Sequence, residues 1–259
     1  MDRETAERCT ILRGLVGSTV HGLNVDDGIE DRDEMGVCVE PFREAMALWE
    51  TFEQFIYRSA AEREGRANAR STGGDLDLTI YSLRKWARLA LKGNPTILLL
   101  LFTPEEQLVL NTPLGRELRG LTPQIVSRRV QAPFLGYLQA QKQRLTGERG
   151  QKRIHRPELE QMYGFDTKYA MHAARLGFQC LELMETDQLA LPIEGEPRQW
   201  LLDVRHGRVP FDEWWARCLD LDARLATLED DDRFRPGPDR ARIDAWSTAA
   251  HRRRWAERA

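Results

Sequence analysis

The chain has 259 residues, of which 41% are apolar and 31% are charged, and its formal net charge is −3. This composition supports a buried core and excludes a globally basic protein, so a polyanionic partner would have to meet a local basic patch. The four cysteines include no C-x-x-C pair, which argues against a zinc knot or a disulfide scaffold and favours a reducing, cytoplasmic environment. The most apolar run, 96–102, is far too short to span a bilayer, so no membrane association is expected.

The first hundred residues have the pattern of a mixed α/β region. Strands are predicted over 11–16, 33–39, 52–57 and 75–80. In the last of these, carboxylates alternate strictly with Leu76, Leu78 and Ile80, which predicts one polar and one apolar face. Helices are predicted over 83–91, after the N-cap residue Ser82, and over the buried run 96–102.

Helical periodicity replaces the strand signal after Pro104. Helices are predicted over 105–111, 113–120, 131–146, 157–163, 166–186 and 210–227. Residues 229–240 are an acidic connector interrupted by proline and glycine, and a basic helix is predicted over 241–259. The expected organisation is α+β, with a catalytic domain at 1–105 and an all-helical domain at 106–259.

Acidic residues suggest the chemistry. Asp31 and Asp33 are two residues apart, so on a strand they share one face, and they follow a Gly17-Ser18 pair of the kind that closes around a phosphate. The strand 75–80 can supply a third carboxylate, with Asp77 ranked ahead of Asp75. Three carboxylates on adjacent strands can bind two Mg²⁺ or Mn²⁺ ions for phosphoryl or nucleotidyl transfer. The alternative is that these aspartates are merely solvated strand ends.

A second group of candidate residues lies on the predicted helix 166–186. Lys168, His172 and Arg175 fall at i, i+4 and i+7, so they share one face and suit a triphosphate. The alternative, more common from spacing alone, is an exposed helix face with salt bridges. A dense basic strip also occurs over 128–156, and it is either an RNA-binding surface or a flexible solvated loop.

The segments Gly17–Gly22, Asp31–Asp33 and Gly36–Val37 resemble the signature of the DNA polymerase β-like nucleotidyltransferase superfamily. Three further parts of the chain are similar to one bacterial and phage branch of predicted nucleotidyltransferases. This branch includes the RNA-ligase-associated, RNA-repair type. The three parts are 81–86 with 93–95, 166–176 and 201–207. The resemblance covers about residues 11–215.

The resemblance implies a small mixed sheet with flanking helices, two divalent ions and an NTP donor. It implies that Gly17 and Ser18 bind the β- and γ-phosphates and that Asp31, Asp33 and Asp77 are the metal ligands. It also favours nucleotide binding by the Lys168, His172 and Arg175 face. The acceptor it implies is an RNA 3′-OH, tRNA-like, in repair or end-modification.

Two competing hypotheses remain. In the first, the acceptor is a protein side chain, as in toxin–antitoxin nucleotidyltransferases, or a small molecule. In the second, the chain is a non-catalytic binding module, and the presence of all three carboxylates argues against it. The sequence does not select one of the four NTPs.

Overall fold

The structure is a computed structural model that describes residues 1–24, 32–49, 51–66, 69, 71–146, 156–228 and 235–257. The chain divides into two compact units. The first unit comprises Met1–Lys92, Thr96–Ile125 and Pro238–Ala259, and the second comprises Gly93–Pro95 and Val126–Gly237.

A five-stranded mixed sheet forms the centre of the first unit. Its strands are β1 (Thr10–Leu15), β2 (Arg32–Cys38), β3 (Gln54–Arg58), β4 (Leu76–Ser82) and β5 (Leu108–Asn111). Their spatial order is β3-β4-β2-β1-β5. The central pair, β2 and β4, is parallel, whereas the other three pairs are antiparallel.

Fourteen α-helices occur in the described residues. The first eight are α1 (Arg3–Cys9), α2 (Ser18–His21), α3 (Phe42–Met46), α4 (Ser59–Glu64), α5 (Leu83–Ala90), α6 (Pro95–Phe102), α7 (Pro113–Gly120) and α8 (Thr122–Ile125). The remaining six are α9 (Gln131–Thr146), α10 (Pro157–Tyr163), α11 (Thr167–Thr186), α12 (Gly195–Arg205), α13 (Phe211–Thr227) and α14 (Arg240–Ala256). None of the helices in these ranges is long and apolar enough to cross a membrane.

The α+β prediction is confirmed, and most of the predicted elements are present. The prediction of a helix over 105–111 is wrong: a single 3₁₀ turn at Glu105–Gln107 is followed by β5, which pairs with β1. The short run Leu108–Asn111 has no alternation that distinguishes a strand from a helix, and its pairing with a distant strand decides its conformation.

The core of the first unit lies under β4. Leu78 and Ile80 are fully buried on one face of this strand and pack with Ala6 and Cys9 of α1. Ser82 caps α5 by accepting a hydrogen bond from the Lys85 backbone N–H at 3.1 Å, as its N-cap pattern predicts. The helix that follows β4 is therefore fixed in position by the end of that strand.

The last helix packs on the same unit through a buried polar cluster. Glu40 is fully buried and accepts hydrogen bonds from Arg84 at 2.7 Å and from the Leu83 backbone N–H at 3.1 Å. His251 of α14 lies 3.4 Å from the same carboxylate, and the Trp255 indole donates to the Glu40 carbonyl at 3.0 Å. Because its acceptor atoms are satisfied, Glu40 can join α14 to α5 inside the protein.

The second unit is a bundle around α11, which packs against α9, α12 and α13. Its small residues Ala170, Ala173 and Ala174 are fully buried, which permits close approach of neighbouring helices. At Gly177, an added Cβ would lie 2.9 Å from Leu221 of α13. The Trp214 indole donates to the Ala170 carbonyl at 3.0 Å, so this large side chain is both packed and hydrogen-bonded.

Candidate active site

Two of the predicted metal ligands lie side by side on the central strands. In the parallel pairing of β2 and β4, Asp33 is directly opposite Asp77. Residues in register on neighbouring strands point to the same face and are about 4.8 Å apart. Both aspartates line one cavity of about 350 Å³ in the first unit. The structure therefore brings together two carboxylates that are 44 positions apart in the sequence.

Gly17 borders the same cavity and lies against Asp33. Its backbone has φ +77°, and an added Cβ would overlap the Asp33 carboxylate. Only glycine combines this conformation with such a close approach. The Val16 backbone N–H also donates to the Asp33 carbonyl at 2.9 Å, which fixes the turn that begins at Gly17 beside the strand. Ser18 follows as the first residue of α2.

Asp77 is held in place by two neighbours that the sequence did not reveal. The Ser71 hydroxyl lies 3.0 Å from each of its carboxylate oxygens, and Arg58 Nε donates to Oδ2 at 3.2 Å. Arg58 also donates to the Ser71 hydroxyl at 3.0 Å. Arg58 ends β3, opposite Asp77, so only the strand pairing identifies it as a neighbour.

Asp75 has a different role from Asp77. Its carboxylate is buried, forms an ion pair with Arg63, and accepts hydrogen bonds from the Ser59 hydroxyl at 2.7 Å and from the Thr72 backbone N–H at 2.9 Å. The Arg63 guanidinium and these hydrogen bonds hold the pKa of Asp75 well below its usual range. Asp75 secures the turn before β4 and does not line the cavity that Asp33 and Asp77 share, which favours Asp77 as the third ligand.

The carboxylates fit a hard divalent cation. Asp33 and Asp77 are in register, face an open cavity, and offer the oxygen ligands that Mg²⁺ and Mn²⁺ prefer. Asp31 lies outside the described residues, and no group of three or more His, Cys, Asp or Glu residues within the described ranges could hold a metal ion.

The predicted phosphate-binding face of α11 belongs to the second unit. Burial lowers the pKa of His172 to about 3, and the positive charges of Arg175, Lys168, Arg156 and Arg205 add to this effect. Burial also lowers the pKa of Arg175 to about 10. His172 is therefore a neutral imidazole within a group of four cations, and such a group attracts anions.

Arg156 and Arg205 were not among the predicted site residues. Arg156 precedes α10 and forms an ion pair with Asp166 at 3.3 Å. The same Asp166 caps α11 by accepting from the Tyr169 backbone N–H at 2.9 Å. Arg205 ends α12. It lies within the segment 201–207, one of the motifs on which the family resemblance rests, and this motif is the sequence signal that could have identified it.

The basic strip 128–156 is only partly a cationic surface. Residues 147–155 lie outside the described residues. Lys142 is buried, forms an ion pair with Asp222 at 2.6 Å, and lies 4.8 Å from the centre of the Trp215 ring. Its ammonium group is neutralised inside the second unit, so Lys142 does not belong to an RNA-binding strip. Arg144 lies at the surface and donates to the Tyr169 hydroxyl at 3.3 Å.

Comparison with known proteins identifies the family. The family model described as RNA repair pathway DNA polymerase beta family, RlaP, matches residues 3–249. The chain belongs to this family. It is therefore one of the polymerase β-like nucleotidyltransferases associated with RNA repair, which confirms the resemblance found in its motifs.

Among the curated proteins, no match to this chain is found. A crystal structure of a nucleotidyltransferase-like protein from Exiguobacterium sibiricum is 12% identical to this RlaP-family chain, with a TM-score of 0.31. The match covers 87% of this chain and 70% of that one.

We expect Gly17→Ala to destabilise this RlaP-family protein more than Gly65→Ala does. Both glycines have positive φ, but nothing lies within 4 Å of a Cβ at position 65. At Gly65, in the left-handed region with ψ 21°, the backbone strain of an alanine costs about 1–2 kcal/mol. Gly17, with ψ −154°, lies in a region that is essentially restricted to glycine, and the overlap with Asp33 adds to the cost there. Denaturant unfolding of the two variants measures the difference. Equal losses of unfolding free energy would contradict the close contact between Gly17 and Asp33.

The stability of the second unit should depend on the protonation of His172. Because its pKa of about 3 in the folded chain is below the ordinary value of about 6.5, the unfolded chain binds more protons between these limits. The free energy of unfolding therefore falls as the pH falls from about 6.5 towards 3.

In His172→Asn, the destabilisation between about pH 7.5 and pH 5 should be smaller than in the wild type by about 2 kcal/mol, because the wild type loses about 1.4 kcal/mol per pH unit below about 6.5. Urea unfolding at the two pH values measures it. The same pH dependence in both proteins would contradict a partly buried, neutral His172.

Proposed function

We propose that the chain is a divalent-metal-dependent nucleotidyltransferase of EC 2.7.7 type, which transfers NMP from an NTP to the 3′-hydroxyl of RNA and releases pyrophosphate. The observation that supports this proposal best is the register of Asp33 and Asp77 on adjacent parallel strands, beside Gly17 and facing one cavity. Membership of an RNA-repair family supports RNA as the acceptor.

Asp33 and Asp77, with Asp31, are the proposed ligands of Mg²⁺ or Mn²⁺. When bound, the ions would neutralise phosphate charge and lower the pKa of the attacking hydroxyl. Ser71 and Arg58 keep the Asp77 carboxylate in one orientation. Asp77 is thus placed to orient the RNA hydroxyl and to accept its proton.

The transfer is a displacement at the α-phosphorus of the NTP. A bond forms between the RNA hydroxyl oxygen and this phosphorus, while the bond from the phosphorus to the α,β-bridging oxygen breaks. The electron pair of that bond leaves with pyrophosphate, and the hydroxyl proton passes to Asp77 or to water. We propose that the Gly17-Ser18 turn binds the β- and γ-phosphates, because the glycine has no side chain to block their approach.

Lys168, His172 and Arg175 are proposed to bind phosphate groups of the nucleotide. The neutral imidazole among four cations supports this role, because an added anion would relieve the repulsion between the positive charges. Arg156 and Arg205 extend the same group, so we include them in the proposed phosphate-binding cluster.

Asp33→Asn and Asp77→Asn should each lower NMP transfer by a factor of about 100 or more, since each removes a proposed metal ligand. Glu106→Gln, an exposed carboxylate change in the same unit, should leave transfer unchanged. The measurement is incorporation of label from each of the four NTPs into RNA with a free 3′-hydroxyl, in Mg²⁺ or Mn²⁺. RNA with a blocked 3′ end is the control substrate.

Two results would contradict the proposal in different ways. Unchanged transfer by Asp33→Asn and Asp77→Asn would overturn the assignment of the carboxylates. Label that enters a protein or a small molecule from a lysate, and not RNA, would overturn the acceptor and leave the nucleotidyl transfer standing.

A further inference from the structure

A second cavity of about 550 Å³ lies in the first unit, between α5 and α14. Its apolar wall consists of Ala87 and Leu91 from the α5 side and Ile243 from α14. A concave apolar surface of this size is typical of a ligand site. Neither the nucleotidyl transfer chemistry nor the core of the unit accounts for it.

Four cations surround this apolar wall, against one carboxylate, that of Asp244. Arg84 and Arg88 are one helical turn, about 6 Å, apart on α5, and Lys92 follows in the turn that closes this helix. Arg240 contributes the fourth cation from the start of α14. On a chain of net charge −3, this is a local concentration of positive charge.

Two of these cations are available to an added anion. Arg84 forms an ion pair with Glu40 and Arg88 forms one with Glu53, both at 2.7 Å. Lys92 and Arg240 are exposed, and neither forms an ion pair with another described residue. The charge balance of the cavity therefore favours an anion at Lys92 and Arg240.

The cavity is separate from the proposed catalytic carboxylates. Asp77 is near the start of β4, whereas α5 begins directly after Ser82 at its end. The described residues that line this cavity do not overlap with those that line the cavity of Asp33 and Asp77, so a ligand here lies outside the proposed catalytic site.

The arrangement of charge and apolar surface identifies the class of ligand. Lys92 and Arg240 stand on opposite sides of the cavity, and two separate cations match a ligand that carries more than one anionic group. Proteins bind single-stranded nucleic acids along positively charged grooves that follow the phosphate backbone. We propose that the α5–α14 cavity binds a single-stranded segment of the acceptor RNA, upstream of the reacting 3′ end. This inference rests on the proposed RNA acceptor.

The test is equilibrium binding of a fluorescein-labelled RNA of about 12 nucleotides to the full chain, followed by fluorescence anisotropy without metal or NTP. The double variant Lys92→Glu/Arg240→Glu should bind about tenfold more weakly at about 50 mM salt, with a salt dependence shallower by about 1.5 in log–log slope. Lys92→Arg/Arg240→Lys keeps both charges and should bind RNA like the wild type.

A matched control is available on α14, the helix that carries Arg240. Arg242→Glu/Arg252→Glu makes the same change in net charge at exposed positions of α14 that do not line the cavity. Its affinity for the RNA should remain within about twofold of the wild type, because the charges lie outside the site and are screened.

Four results would overturn the inference. Unchanged RNA binding by the cavity variant, or equal losses in the cavity and control variants, would show that the cavity is not the site. Displacement of the RNA by free AMP as effectively as by unlabelled RNA would show a site for one nucleotide and not for a strand. If the wild type binds no RNA, the RNA acceptor falls as well, whereas Asp33-dependent transfer of label to another acceptor would still support nucleotidyl transfer.

Discussion

The parallel pairing of β2 with β4 is the constraint on which the proposed site depends. It sets Asp33 opposite Asp77 and leaves both carboxylates at one end of the central strands, facing a cavity. A shift of this register by one residue would turn one aspartate to the opposite face of the sheet. The buried apolar face of β4, with Leu78 and Ile80 at its centre, makes such a shift costly, so the hydrophobic core fixes the geometry of the polar site.

Local pattern was sufficient for much of the fold. The alternation over 75–80 and the Ser82 cap each have a cause within a few residues, and the structure contains both the strand and the capped helix. β5 could not be predicted in this way, because its conformation depends on pairing with β1, about a hundred residues earlier. Short helices such as α2 and α3 carry too few residues for a periodic signal.

The site was predictable only as a list of residue types. The sequence indicated Gly17, Asp33 and Asp77, but it left Asp75 as an alternative. Asp75 is buried beside Arg63 and does not line the cavity that Asp33 and Asp77 share. Arg58 and Ser71 contact Asp77 through tertiary structure, with no motif of their own. Lys142 belongs to the basic strip 128–156 in the sequence, yet its burial beside Asp222 removes it from the surface. Charge alone does not distinguish these outcomes, since burial and pairing decide them.

Direct measurement of metal binding tests the central claim, that Asp33 and Asp77 hold the divalent ion used for nucleotidyl transfer. Electron paramagnetic resonance can follow Mn²⁺ binding to the protein with a non-hydrolysable NTP analogue present. The wild type should bind Mn²⁺, and Asp33→Asn and Asp77→Asn should each weaken this binding by about tenfold or more. Mn²⁺ affinity equal to that of the wild type in both variants would contradict the proposed site, whatever the acceptor.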